Sequence, residues 1–132
     1  MSSTIHFDTN LIIDFLKGTL SRADIEPLLN QNIIMISVLV EYELRLGQRL
    51  SKSQTIKQLV EDFLRSVIIV PLSSEIVGKA SEIQSKQISL GKRLPLIDLL
   101  IGTTSLIHNA KLLSNDKDMQ KLAEYGLEVI TF

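Results

Sequence analysis

An open α/β domain, with a mostly parallel sheet of about five strands flanked by helices on both faces, is the architecture this sequence predicts. Three observations carry the prediction. Short runs rich in β-branched residues alternate with longer segments of helical period. Several of those short runs are apolar on both faces, as strands covered by helices on each side are. The chain has 132 residues, 45% of them hydrophobic, enough for one core and too few for two. Residues 1–132 are therefore read as a single domain.

The strands follow from composition and flanking turn formers: Thr4 to Phe7, Ile33 to Ile36, Val67 to Val70, Lys111 to Leu113 and Leu127 to Thr131. Between the first two, Leu11 to Lys17 has helical period and stops at Gly18, and Asp24 to Leu29 fits a short extra helix. Val38 to Leu46 and Gln54 to Arg65 fill the second gap. Glu75 to Leu90, stopped by Gly91, and Leu96 to His108 fill the third, and Met119 to Tyr125 ends at Gly126. Sheets of this kind bind ligands beyond the carboxyl ends of their strands.

Composition limits the chemistry. Fourteen Lys and Arg against fifteen Asp and Glu leave a formal charge of −1, so a polyanion is held by a local patch or through a metal. With no cysteine, disulfides, thiolate zinc sites and cysteine nucleophiles are excluded together. Only His6 and His108 offer imidazole, so a metal here takes oxygen ligands. The amino terminus lacks a basic and then apolar leader, and no apolar run approaches the roughly 18 residues that span a bilayer. A cytoplasmic protein with no membrane association is expected.

Four acids stand out. Asp8 leaves the first strand in Asp8-Thr9-Asn10, where capping the next helix is its ordinary role. After the second strand, Ser37 is a plausible cap. Glu41 and Glu43 lie about 200° apart on a helix that turns about 100° per residue, so they cannot share a face. Glu41 has Arg45 four residues later and reads as a surface pair. Glu43 lies over Leu39, Val40, Leu46 and Gly47, so it either takes a partner from elsewhere or sits at the edge of the apolar stripe with its tip in water. Asp98 is the only formally charged residue between Arg93 and Lys111. A carboxylate set among leucine and isoleucine is costly unless paired, hydrogen-bonded or metal-bound, although Pro95 leaves an N-cap role open. In Ser114-Asn115-Asp116-Lys117-Asp118, one aspartate caps the last helix and the other is free to face the crevice. Gathered at roughly 5 to 7 Å with an effective dielectric near 20, each pair of such carboxylates repels by about 2 to 3 kcal/mol. Oxygen ligands then point to Mg²⁺ or Mn²⁺ as the neutralising cation.

Four blocks match a known pattern: the opening hydrophobic-Asp8-Thr9-Asn10, Ser37 with Glu43-Leu44 and Gly47, Pro95-Leu96-Ile97-Asp98-Leu99-Leu100-Ile101-Gly102, and Leu113-Ser114-Asn115-Asp116-Lys117-Asp118-Met119. In this order, over nearly the full length, the chain resembles PIN-domain ribonucleases, most closely the VapC-type toxins of prokaryotic toxin–antitoxin pairs. The resemblance implies a PIN-like domain whose Asp8, Glu43, Asp98 and Asp116 are the catalytic, metal-binding acids, with Asn10 and Ser114 as supporting polar groups. It also implies an RNA substrate cleaved to leave a 5′-phosphate and a 3′-hydroxyl, a small cognate antitoxin that covers the acids, and a homodimer. Val40, Gly102, Ser114 and Met119 depart from the residues usual in the family at those positions, while all four acids are kept.

RNA reaching an acidic centre needs cations at the rim. Lys92 and Arg93, just before the Asp98 helix, are the first candidates, followed by Arg45, Lys117 and Lys86. Two other readings compete: a PIN-like domain that only binds protein, and a receiver-type phosphoacceptor domain. The second requires an aspartate at the end of the third strand, where the sequence runs from Val67 to Ser74 without an acid.

Overall fold

In the computed structural model, which describes residues 3–132, strands and helices alternate as β1 (Thr4–Phe7), α1 (Thr9–Leu16), α2 (Arg22–Gln31), β2 (Ile33–Ser37), α3 (Val38–Leu50), α4 (Gln54–Ser66), β3 (Ile68–Val70), α5 (Ser74–Leu90), α6 (Leu96–Ile107), β4 (Lys111–Leu113), a 3₁₀ helix (Lys117–Tyr125) and β5 (Val129–Ile130). Met1 and Ser2, part of the single domain expected from the sequence, lie outside the described residues. No helix among the described residues is long and apolar enough to cross a membrane.

The five strands form one sheet in the order β3-β2-β1-β4-β5, and every neighbouring pair is parallel. The chain steps outward from β1 to β2 and β3, then crosses to the other side of β1 for β4 and β5. That reversal opens a crevice above the carboxyl ends of β1 and β4, the position at which doubly wound sheets hold ligands. The same order sets the receiver reading aside, because that architecture has the order 2-1-3-4-5 and its acid follows β3. Here β3 runs into Pro71 and Leu72.

Alternation along β1 decides what each face receives. Phe7 points to the layer of α1, α3 and α4, where its ring meets Phe63 edge-on at 6.4 Å between centroids. His6 and Asp8 point to the other layer, where α6 packs between α5 and the 3₁₀ helix. Ile5, Phe7, Leu11, Ile12, Ile36, Leu44, Leu99, Ile101 and Leu112 fill the core on both sides of the sheet.

Differences from the sequence reading lie at element ends. α1 starts two residues early because Asp8 caps it, which brings Thr9 and Asn10 into its first turn. α2 runs from Arg22 to Gln31, beyond the Asp24–Leu29 expected, with Pro27 exposed inside it. α3 continues through Gly47 to Leu50. The last helix starts at Lys117 and is 3₁₀, because Asp116 caps it two residues before the apolar period begins. β5, at the edge of the sheet, pairs only at Val129 and Ile130.

Candidate metal centre

Asp8 is placed by two bonds at the mouth of the crevice. Its Oδ1 accepts the Thr9 backbone N–H at 2.8 Å, and its Oδ2 accepts the Ser114 hydroxyl at 2.7 Å. Ser114, fully buried at the end of β4, accepts in turn from the Asp116 backbone N–H at 3.1 Å. One side chain thus caps α1 and takes the Ser114 hydroxyl, since a carboxylate has lone pairs for both.

Glu43 finds the outside partner its helical face requires. The Thr9 hydroxyl of α1 donates to its Oε1 at 2.7 Å, drawing α3 toward the carboxyl end of β1. Thr9 was not among the site residues named from the sequence; its signal was its place between Asp8 and Asn10. Ser37 caps α3 by accepting from the Val40 N–H at 3.2 Å. Glu41 turns away and pairs with Arg45 at 3.0 Å.

Asp98 stands in the first turn of α6, where Pro95 occupies the cap position without a side-chain bond, so the N-cap alternative for Asp98 is not realised. Carboxylate oxygens of Asp98, Asp116 and Asp118 lie within 4.8 Å of one another. Asp116 is the aspartate that caps the final helix, accepting the Asp118 N–H at 2.9 Å, and Asp118 also contacts Lys121 at 3.1 Å. The tight cluster therefore contains both aspartates between which the sequence reading chose, while Asp8 and Glu43 stand outside it with oxygens held by Thr9 and Ser114.

Electrostatics tie the five acids together. Burial, then the charges of Asp116, Asp8, Glu43 and Asp118, push the Asp98 carboxyl up to about 6. Burial also raises Asp8, against the lowering effect of its bonds from Ser114 and Thr9, and Asp116 adds to the rise. Clustered oxygen donors that resist joint ionisation are a set that could hold a metal ion. Neither imidazole joins them: both ring nitrogens of buried His6 are engaged elsewhere, and His108 is exposed at the far end of α6.

Beside the acids a cleft of about 220 Å³ is lined by Asp8, Asn10, Leu11, Asp14, Asn115 and Asp116. Asn10 is exposed on its wall. A larger cavity, about 460 Å³, opens at the opposite edge of the sheet beside Ser3, Lys111 and Glu128, far from the acids. Of the cations expected at the rim, Arg45 bridges Glu41 and Glu61, so its charge is already matched, and Lys86 pairs with Glu82. Lys92, Arg93 and Lys117 are exposed and have no ion pair among the described residues.

The fold has counterparts among known proteins. No curated protein sequence matches the chain. Among solved structures, the chain is similar to one in VapBC2 from Rickettsia felis bound to a promoter DNA fragment, with TM-score 0.85, 22% identity and 98% of each chain covered. It is also similar to one in VapBC-1 from nontypeable Haemophilus influenzae, with TM-score 0.81, 20% identity and 97% of each covered. A third likeness is to DNA-bound VapBC from Salmonella typhimurium, with TM-score 0.80, 18% identity, and 99% of this chain and 98% of that one covered. A model of the PIN domain matches residues 5–125, nearly the whole chain, and so the protein belongs to the PIN domain family.

Proposed function

We propose that this PIN domain is a Mg²⁺- or Mn²⁺-dependent endoribonuclease and the toxin of a toxin–antitoxin pair. The observation that carries the reading is the convergence of five acids at the switch point of the sheet, three of them with oxygens within 4.8 Å. Asp98, Asp116 and Asp118 would hold the ion, with Asp8 and Glu43 as further acidic groups of the site. A divalent ion bound there lowers the pKa of a water and offsets charge on the phosphate and the leaving oxygen. The chain's own side chains orient this set: Ser114 fixes Asp8, Thr9 fixes Glu43, and the Asp116 carboxylate anchors the first turn that carries Asp118. Asp98 or Asp116, beside the ion, would also be placed to accept a proton from the attacking water. Lys92, Arg93 and Lys117 supply phosphate contacts at the rim, and the amides of Asn10 and Asn115 line the cleft into which a nucleotide beside the cut would extend.

The partner reading rests on the VapBC assemblies named above. A small antitoxin would shield the acids, and the apolar side chains exposed on α3, Tyr42, Leu46 and Leu50, offer surface for it or for a second copy in a homodimer. The cytoplasm, where RNA is met, is the proposed location.

The test is incubation of purified protein with a mixed RNA pool, with Mg²⁺ or Mn²⁺ and with chelator, beside Asp98→Asn, Glu43→Gln and Glu41→Gln. Metal-dependent cleavage should fall about 100-fold or more in Asp98→Asn and Glu43→Gln and persist in Glu41→Gln. Equal cleavage by wild type and Asp98→Asn would refute the assignment.

A further inference from the structure

His6 has no place in the chemistry above, yet it is fully buried on β1, two residues before Asp8, with both ring nitrogens engaged. The Ser37 backbone N–H donates to its Nε2 at 3.1 Å. A backbone amide can only donate, so Nε2 carries a lone pair and the ring's single proton sits on Nδ1, 2.7 Å from the Ser105 hydroxyl. Burial agrees, since it strips hydration from an imidazolium and, with a smaller contribution from His108, holds the ring's pKa at about 3.

The two bonds join the three elements that carry Asp8, Glu43 and Asp98. Ser37 is the cap from which α3 springs, and α3 carries Glu43. Ser105 follows Asp98 on α6 by seven residues, which at 3.6 residues per turn returns to the same helix face within about 20°. His6 and Asp8 share a face of β1. The His6–Ser105 contact is therefore the lower rung, and the approach of Asp8 to Asp98 the upper rung, between one strand and one helix. A leucine would fill much of the volume but strand the buried Ser37 N–H and Ser105 hydroxyl; an imidazole satisfied at both nitrogens partners them and adds a directional constraint that apolar packing lacks.

We propose that His6, as its Nδ1–H tautomer, is a positioning residue that sets α3 and α6, and hence Glu43 and Asp98, against Asp8. This inference rests on reading those acids as a metal centre.

The test has two arms on the full chain. Long-range ¹⁵N spectra of the imidazole should show a protonated Nδ1 and a bare Nε2. Calorimetric titration with Mn²⁺ should show affinity about tenfold weaker in Ser105→Ala and His6→Leu, the scale of lost outer-shell support. His6→Gln, whose amide offers an acceptor to Ser37 and a donor to Ser105, should recover most of the loss. Circular dichroism checks that each variant is folded, and the Ser105→Ala and His6→Gln pair decides the matter if His6→Leu is not. An Nε2-protonated ring, or folded Ser105→Ala with wild-type Mn²⁺ affinity, overturns the role of His6 alone. A wild-type protein that binds no Mn²⁺ overturns the metal-centre reading and this inference with it.

Discussion

Ser114 shows how much one hydroxyl can hold at this centre. It donates to Asp8 and accepts from the Asp116 amide, both in a fully buried position at the end of β4. Ser114→Ala leaves a carboxylate oxygen and an amide without that partner, and should lower stability by about 1 to 3 kcal/mol. Denaturant unfolding at an unchanged m-value is the measurement. Asp98 sets a pH dependence whose sign is fixed by its raised pKa. The unfolded chain loses this proton near 3.8 and the folded chain at about 6, so between those values the folded state holds a proton the unfolded state lacks. Stability of the protein kept free of divalent ions should therefore fall as pH rises through that window, and Asp98→Asn should flatten the slope in thermal melts. The reason Asp98 was legible in the sequence is that no other charge surrounds it, whereas Thr9 was hidden because a threonine in a capping triplet has an ordinary local use.

At the scale of elements, α6 and the 3₁₀ helix must approach closely for Asp98 to meet Asp116 and Asp118. Gly102 permits this: a Cβ there would meet the side chain of buried Leu122 on the 3₁₀ helix. Gly102→Ala gains about 0.5 to 1 kcal/mol of helix propensity but overpacks the contact at a cost of about 1 to 3 kcal/mol. A net loss of about 1 kcal/mol is expected, read as a lower Tm, with weaker metal binding as the two elements part. The strands and most helices were legible because their periods are unambiguous over several residues. Helix starts at Thr9 and Lys117 were not, because each depends on which of several adjacent polar residues bonds back to the backbone. The charge on Arg45 is similar: sequence reveals its i,i+4 partner Glu41, but the second bridge to Glu61 joins α3 to α4 and appears only when the two helices are packed.

Over the whole molecule, a chain with a formal charge of −1 concentrates five acids at one edge of its sheet. A cation that bound the folded state and not the unfolded one would relieve their mutual repulsion. Mn²⁺ or Mg²⁺ at about a hundredfold over its Kd should therefore add about 2.7 kcal/mol of stability. Thermal melts with and without chelator measure it, and Asp98→Asn should lose most of the increment.

The sequence by itself determined the α/β class, the strand and helix order and the acids worth watching, because periodicity, turn residues and an isolated charge are local properties. The tertiary structure decided that Asp116 and Asp118 both join Asp98, that Ser114 and Thr9 fix Asp8 and Glu43 beside that cluster, and that His6 ties three elements together. Those outcomes depend on distances between side chains up to about a hundred residues apart, fixed only by the order of strands in the sheet and the rotation of each helix upon it.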